Sequence, residues 1–198
     1  MKAAGVILAG GKSSRMGEDK SMLEFHGETL ISRSVRELRG YVEELIVVSN
    51  RQQKYCFPGV KEITDIYRGI GPLAGIHAGL KAAAFEYVFF MACDMPFLEG
   101  RLAGMLLENS PGFDVVVPRI GSYLEPLCAV YSKTCLPYIE NNIAKKCCRV
   151  IDFYPFVKVK YIEEKMIRKI TDPKQAFVNI NTQDEYRKMC PLVQHAKN

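Results

Sequence analysis

Apolar positions along this chain come in two rhythms, and the rhythms alternate. Ala3 to Ala9 (AAGVILA) is a continuous apolar run, the pattern of a strand buried on both faces. Met22 to Phe25 reads as a short extended piece before a turn at Gly27. Thr29 to Leu38 places Leu30, Ile31, Val35 and Leu38 at helical spacing, with Thr29 capping or opening the helix. Leu45 to Val48 is β-branched and short, a second strand, and Val60 to Thr64 is a weaker third. Gly69, Gly71 and Pro72 then break the chain. Leu73 to Ala84 is alanine-rich and helix-like. Tyr87 to Met91 (YVFFM) is a fourth buried strand, Leu98 to Leu107 a helix and Val115 to Val117 a fifth strand. This βαβα alternation predicts a three-layer α/β/α domain with a mostly parallel, Rossmann-like sheet and right-handed crossovers.

The second half is less regular. Leu127 to Tyr131 reads as a strand, Lys133 to Asn141 as a helix, Phe156 to Ile162 as a strand and Glu163 to Ile170 as a helix. Phe177 to Ile180 is a short apolar run. Thr182 then reads as an N-cap, with Gln183, Asp184 and Glu185 filling the first helical turn. No internal repeat or linker interrupts the chain, so residues 1–198 are expected to form one domain.

Composition narrows the picture slightly. The 198 residues are 48 % hydrophobic and 25 % charged, the balance of a globular protein. A net charge of +5 suits an anionic ligand, but no basic stripe argues for nucleic acid. The nearest run, Lys145 to Arg149, is short. The seven cysteines show no C-x-x-C spacing and no histidine completes a zinc pattern, so they read as reduced thiols of an intracellular protein. The N-terminus lacks the apolar core and cleavage site of a signal peptide. No stretch approaches the ~20 apolar residues of a membrane span. A soluble, cytoplasmic protein is expected.

Candidate chemistry gathers where strands end. "LAGGKSSRMGEDK", Leu8 to Lys20, runs from the first strand into adjacent glycines and three basic residues. A P-loop needs G-x-x-x-x-G-K-[ST]; Gly11-Lys12-Ser13 supplies its end, but its first glycine has to stand where Val6 does, and Gly5 is one residue too early. The dinucleotide fingerprint G-x-G-x-x-G fails as well. Gly10 and Gly11 let the backbone approach a ligand closely, while Arg15 and Lys20 add positive charge. The loop is either a phosphate receptor or a solvated basic turn. Asp94, in "ACDMP", follows a buried strand directly. It suits Mg²⁺, which is commonly held by one or two carboxylates and substrate phosphates, or else it is a turn cap before Pro96. Cys93 beside it reads as a small buried residue rather than a nucleophile. Asn50 follows "LIVVS" and Asp65 follows "KEIT". Each alone suits a turn, but together they make four polar points at the carboxyl ends of four expected strands, where open α/β sheets bind ligands. Of the histidines, His77 is expected to pack on a helix, and His26 and His195 to lie at the surface.

The N-terminal segment resembles the L-A-G-G-x-x-x-R-M-G-x-D-K signature of sugar-nucleotide-type nucleotidyltransferases. "GPLAGI", "ACDMP" and "FVNINTQDEY" resemble one branch, the molybdenum cofactor guanylyltransferases. The similarity runs from about Gly5 to about Glu185. It implies the nucleotide-diphospho-sugar transferase fold and transfer of GMP from GTP to the phosphate of molybdopterin-bound molybdenum cofactor, releasing pyrophosphate. It implies that Leu8, Ala9, Gly10 and Gly11 approach the guanine nucleotide largely through backbone, and that Lys20 and Arg15 hold its phosphates. Asn50 and Asp65 would line the nucleoside site, and Gly71, Pro72 and Leu73 would form the loop facing the base. Asp94 would bind Mg²⁺, with Asn179 and Asn181 on the acceptor side; Lys20, Arg15 and Asp94 would be catalytic. GTP and a molybdopterin-type acceptor are the implied partners, with a transient contact to the protein that takes the finished cofactor. Cytidine-using relatives tend to carry alanine where Gly10 stands, so the resemblance points to guanine. Guanylyl transfer to adenosylcobinamide phosphate or a phospholactate is the rival reaction, and a non-catalytic nucleotide-binding module the rival class.

Overall fold

A computed structural model describes residues 1–10, 19–51, 53–67 and 69–189. Its centre is an eight-stranded sheet. Seven strands lie in the order β10-β7-β9-β6-β1-β4-β5, with β8 paired to β7. These are β1 (Ala4–Leu8), β4 (Glu44–Ser49), β5 (Val60–Thr64), β6 (Tyr87–Ala92), β7 (Val115–Ile120), β8 (Tyr123–Leu124), β9 (Cys128–Ser132) and β10 (Val159–Glu163); β2 (Glu24–Phe25) and β3 (Glu28–Thr29) form a separate antiparallel pair. β1 pairs in parallel with β4 on one side and β6 on the other. β4 with β5 and β7 with β10 are also parallel.

The buried runs are apolar at every position because both faces are covered. Ile7, Leu45, Val47, Phe89, Met91, Val116 and Val130 pack into one core. Their neighbours Val6, Ile46, Val48, Val88, Phe90, Val117 and Ala129 pack into the other. This period of two is what a pleated strand between two helical layers requires. On the first face lie α1 (Leu30–Leu38) and α3 (Gly100–Glu108); on the second lie α2 (Pro72–Ala82) and α4 (Leu136–Ala144). α1 buries Leu30, Ile31, Ser34, Val35 and Leu38, the face its spacing predicts, and the Thr29 hydroxyl caps it by accepting the Ser32 N–H at 3.3 Å.

Close layer contacts depend on missing side chains. A Cβ on Gly75 would lie 2.8 Å from Leu8, and one on Gly79 would lie 2.7 Å from Phe90, so these two glycines let α2 sit against β1 and β6. Gly71 opens α2 with φ 84°, a conformation glycine adopts without strain, and Pro72 takes the first helical position.

The second half departs from the expected pattern. β9 is inserted antiparallel between β6 and β7, so the sheet is mixed. A single apolar run carries no strand direction; here the β7–β8 hairpin reverses the chain and returns it beside β7. Residues 133–135 are a 3-10 turn before α4. Residues 150–156 are also 3-10, so β10 starts only at Val159. The helix expected over Glu163–Ile170 shrinks to α5 (Glu164–Ile167). A short α6 (Pro173–Ala176), capped by Asp172, follows. Phe177 to Ile180 forms no strand; Ile180 instead donates its N–H to the Asp94 carbonyl at 3.0 Å. α7 (Gln183–Met189) is held by a capping box. Thr182 Oγ1 accepts the Glu185 N–H at 3.1 Å, and the Glu185 carboxylate accepts the Thr182 N–H at 3.0 Å.

Candidate functional site

Strand order reverses at β1. The chain runs from β1 outward to β4 and β5, then returns to β6 on the other side. In open α/β sheets that switch point leaves a crevice at the carboxyl ends of the strands. A cleft of about 570 Å³ opens there. Leu8, Ala9 and Gly10 enter it from β1, Asn50 from β4, Asp65 from β5, Gly71 and Pro72 from the start of α2, and Asp94 from the end of β6. Backbone bonds hold these ends together. Ala9 N–H donates to the Val48 carbonyl at 2.9 Å, and Cys93 N–H donates to the Leu8 carbonyl at 3.1 Å.

Lys20 lies on the cleft wall, in a 3-10 turn over Lys20–Met22. The turn is fixed from three directions. Asp19 caps it, accepting the Ser21 N–H at 3.2 Å and the Ser21 hydroxyl at 2.7 Å. Lys54 forms an ion pair with Asp19, and the Tyr55 hydroxyl stands 2.6 Å from that of Ser21. Lys54 and Tyr55 are themselves set by Glu62 of β5, whose carboxylate accepts both backbone N–H groups at 3.0 to 3.1 Å. Burial opposes ionisation of Asp19, but the bonds from Lys54 and Ser21 outweigh it and hold its carboxyl below the usual range. Asp19, Ser21, Lys54, Tyr55 and Glu62 escaped the sequence reading. The one local signal was an aspartate two residues before a serine, the spacing of a side chain that caps a turn.

Across the cleft, Asp94 is largely buried. Desolvation raises its carboxyl pKa, and the positive charge of Lys20 only partly opposes this. A partly buried carboxylate facing a single lysine has room for a further cationic partner. Among the described residues no group of three or more His, Cys, Asp or Glu side chains is placed to hold a metal alone. One carboxylate fits Mg²⁺ only if substrate phosphates complete the shell, which is how that ion is commonly bound.

The C-terminal segment closes one wall. Lys20 Nζ donates to Asn181 Oδ1 at 3.3 Å, and the Asn181 N–H donates to Glu185 at 2.7 Å. Asn181, expected on the acceptor side, is therefore also a partner of Lys20. Asn179 is half-buried two residues earlier and is not among the residues lining the cleft. Leu73 is fully buried in the core beneath α2 and is not among the residues lining the cleft, so the structure does not bring it to the site beside Gly71 and Pro72. Gly11 and Arg15 lie outside the described residues, as do His195 and Cys190.

Cys93 lines the cleft but is buried, and desolvation pushes its thiol far above the ordinary range, so it is held protonated. His77 packs inside α2, as expected. Its Nε2 is 3.0 Å from Glu140 and its ring meets Tyr67 edge-on at 5.0 Å. His26 sits at an exposed turn. No described helix is long and apolar enough to cross a membrane.

Comparison with known proteins places these residues in context. The model of the MobA-like NTP transferase domain matches residues 5–154. A probable molybdenum cofactor guanylyltransferase of Pelotomaculum thermopropionicum is 42 % identical, over all of this chain and 96 % of its own length. A molybdenum cofactor guanylyltransferase of Desulfosudis oleivorans is 36 % identical, over 93 % and 92 %. Among solved structures, molybdopterin-guanine dinucleotide biosynthesis protein A of Archaeoglobus fulgidus superposes with a TM-score of 0.82 at 24 % identity, covering 97 % of this chain and 99 % of its own. A Mycobacterium tuberculosis protein solved in complex with manganese has the same fold, with a TM-score of 0.69 at 15 % identity and coverage of 96 % and 98 %.

Proposed function

Since the chain belongs to the MobA-like NTP transferase family, we propose that it transfers GMP from GTP to the terminal phosphate of a molybdopterin-type cofactor, with Mg²⁺ as its metal. The observation that carries this reading is the meeting of Lys20 and Asp94 in one cleft at the switch point of the sheet. A cation and a desolvated carboxylate beside a glycine-bearing strand end suit a nucleoside triphosphate and a divalent ion.

In the proposed reaction an oxygen of the acceptor phosphate attacks the α-phosphorus of GTP. A new P–O–P bond forms, the bond to the β-phosphate breaks, and pyrophosphate leaves. The attacking phosphate is already ionised, so no strong general base is required. Positioning and charge neutralisation carry the catalysis. Lys20, held by Asn181 and by the Asp19 turn, sets positive charge beside the triphosphate. Gly10 brings the β1 backbone close to the nucleotide, and Arg15, which lies outside the described residues, is assigned to the phosphates on its match to the family signature alone. Asn50 and Asp65 line the nucleoside side. Asp94 would hold Mg²⁺ with the phosphate oxygens, and that ion, when bound, neutralises charge on the triphosphate.

The test is direct. Purified protein is incubated with Mg²⁺-GTP and, separately, with molybdopterin-type cofactor, adenosylcobinamide phosphate or phospholactate, and the products are identified by mass. A guanine dinucleotide of the first acceptor supports the reading. Product from either other acceptor alone, or no pyrophosphate release with any, refutes it.

A further inference from the structure

Glu62 stands on β5, two residues after Val60, which packs against the first core. Alternation along a strand puts both side chains on the same face. A carboxylate on that face is costly unless donors meet it. Here they do. The Lys54 N–H reaches both of its oxygens at 3.0 Å, and the Tyr55 N–H reaches Oε2 at 3.1 Å. Oε1 also lies 3.0 Å from the Ser49 hydroxyl, at the end of β4.

These donors belong to two arms that end in the cleft. On one arm, the Ser49 hydroxyl also meets the Arg51 carbonyl, so the turn around Asn50 is bracketed, and Asn50 lines the cleft. On the other arm, the Lys54 ammonium pairs with Asp19 and lies 4.9 Å over the Tyr55 ring. The Tyr55 ring stacks on Phe57, and its hydroxyl stands 2.6 Å from that of Ser21. Asp19 and Ser21 flank Lys20, and all three line the cleft. Glu62 itself is not among the lining residues, so it touches a ligand only through these arms. Backbone bonds alone would hold the loop. The side chains of Lys54 and Tyr55 go further and direct their polar atoms to the two neighbours of Lys20.

We propose that Glu62 is a positioning residue for GMP transfer: through Lys54 and Tyr55 it aims Lys20 at the triphosphate, and through Ser49 it sets the turn that carries Asn50. This rests on the guanylyltransferase reading above.

Three variants separate the arms. Tyr55→Phe removes one hydroxyl and keeps the ring on Phe57. Ser49→Ala cuts only the Asn50 arm. Glu62→Gln keeps the size of the side chain but turns an amide NH₂ toward backbone donors. Each is made alone and with Lys20→Ala; thermal melts report folding, and kcat and the KM for GTP are measured in GMP transfer to molybdopterin. Tyr55→Phe is expected to lower kcat about tenfold and leave KM within about twofold, because a misaimed charge is felt at the leaving pyrophosphate. Ser49→Ala should raise KM about threefold or more and leave kcat within about twofold. Glu62→Gln should do both; should it fold poorly, the other two variants test the arms one by one. In the Lys20→Ala background the kcat effect of Tyr55→Phe should shrink to within about twofold, since residues acting through one another are not additive. An equal loss of kcat with and without Lys20, an unchanged kcat in Tyr55→Phe, or an unchanged KM in Ser49→Ala overturns the proposal.

The aim of Lys20 is also read without turnover, as the rate at which formaldehyde and cyanoborohydride methylate its amine, followed by peptide mass. Tyr55→Phe should raise that rate at least about threefold, as the bond to Asn181 loosens, and leave exposed Lys169 unchanged. An unchanged rate at Lys20 overturns the proposal. A wild type that transfers nothing to molybdopterin sinks the functional reading separately, because the methylation rate does not depend on that reaction.

Discussion

In the proposed reaction Asp94 and Lys20 act through charge rather than shape, so conservative replacements separate their roles. Asp94→Asn keeps the size of the side chain and removes the charge that would hold the metal. GMP transfer should fall by about two to three orders of magnitude, measured as steady-state rate across a Mg²⁺ titration. Normal turnover at limiting Mg²⁺ would show that the metal is held elsewhere. Lys20→Ala should lower kcat more than it raises the KM for GTP, because the positive charge matters most as charge develops on the leaving pyrophosphate. An equal change in both parameters would assign Lys20 to ground-state binding. Gly10 is tight for another reason. A Cβ there would lie 3.0 Å from Asn50 Oδ1, so Gly10→Ala presses on a residue of the proposed nucleoside side. GTP use should fall more than CTP use, since the larger base needs the space; competition at equal concentrations, read by product mass, measures it. A wild type that incorporates CMP as readily as GMP would sink the guanine assignment.

Elements meet closely at places where no side chain intervenes, and stability should be most sensitive there. Gly100 opens α3 on the same face as α1, and a Cβ on it would stand 2.0 Å from the Glu37 carbonyl oxygen, a backbone atom. Gly100→Ala must push α1 and α3 apart. A loss of about 1–3 kcal/mol or more is expected in urea unfolding. Gly79→Ala faces Phe90 and Val6, buried side chains with little room to move, and should cost a similar amount. A Gly100→Ala protein as stable as wild type would mean that the two helix ends yield freely.

For the whole molecule, the site is kept at the expense of stability. Burial raises the folded-state pKa of Asp94 above its ordinary 3.8, so the folded state resists ionising it. The penalty is absent below about pH 3.8, where both states are protonated. It grows as pH rises through the folded pKa and is complete above it. Asp94→Asn should therefore raise the melting temperature at neutral pH, and its advantage should fade as pH falls toward 4. Asp19 and Glu28 work in the opposite sense. Glu28 is held low by Arg36 at 2.7 Å and by Arg33, and Asp19 by Lys54 and Ser21 against its own burial. Their stabilisation is present above the ordinary carboxylate range and is lost as pH falls through their lowered values. Calorimetric scans from pH 3 to 7 distinguish the two groups, and a neutral-pH Asp94→Asn no more stable than wild type would contradict the desolvation argument.

What the sequence determined by itself is what local periodicity and local chemistry can carry. β1, β4 and β6 were legible because strands buried on both faces are apolar at every position, and α1 because its buried face repeats at helical spacing. Asp94, Asn50, Asp65 and Gly10 were legible as cleft residues because each stands at the carboxyl end of an expected strand, the edge at which open α/β sheets form their crevice. The rest needed the chain folded. The reversed direction of β9 is set by a hairpin and by partners on both sides, and its apolar run reads the same either way. Ser21 and Tyr55 are 34 residues apart, and Lys20 and Asn181 are 161 apart; no spacing rule connects them. Strand direction and the support behind Lys20 depend on contacts between distant segments, and only the tertiary structure brings those segments together.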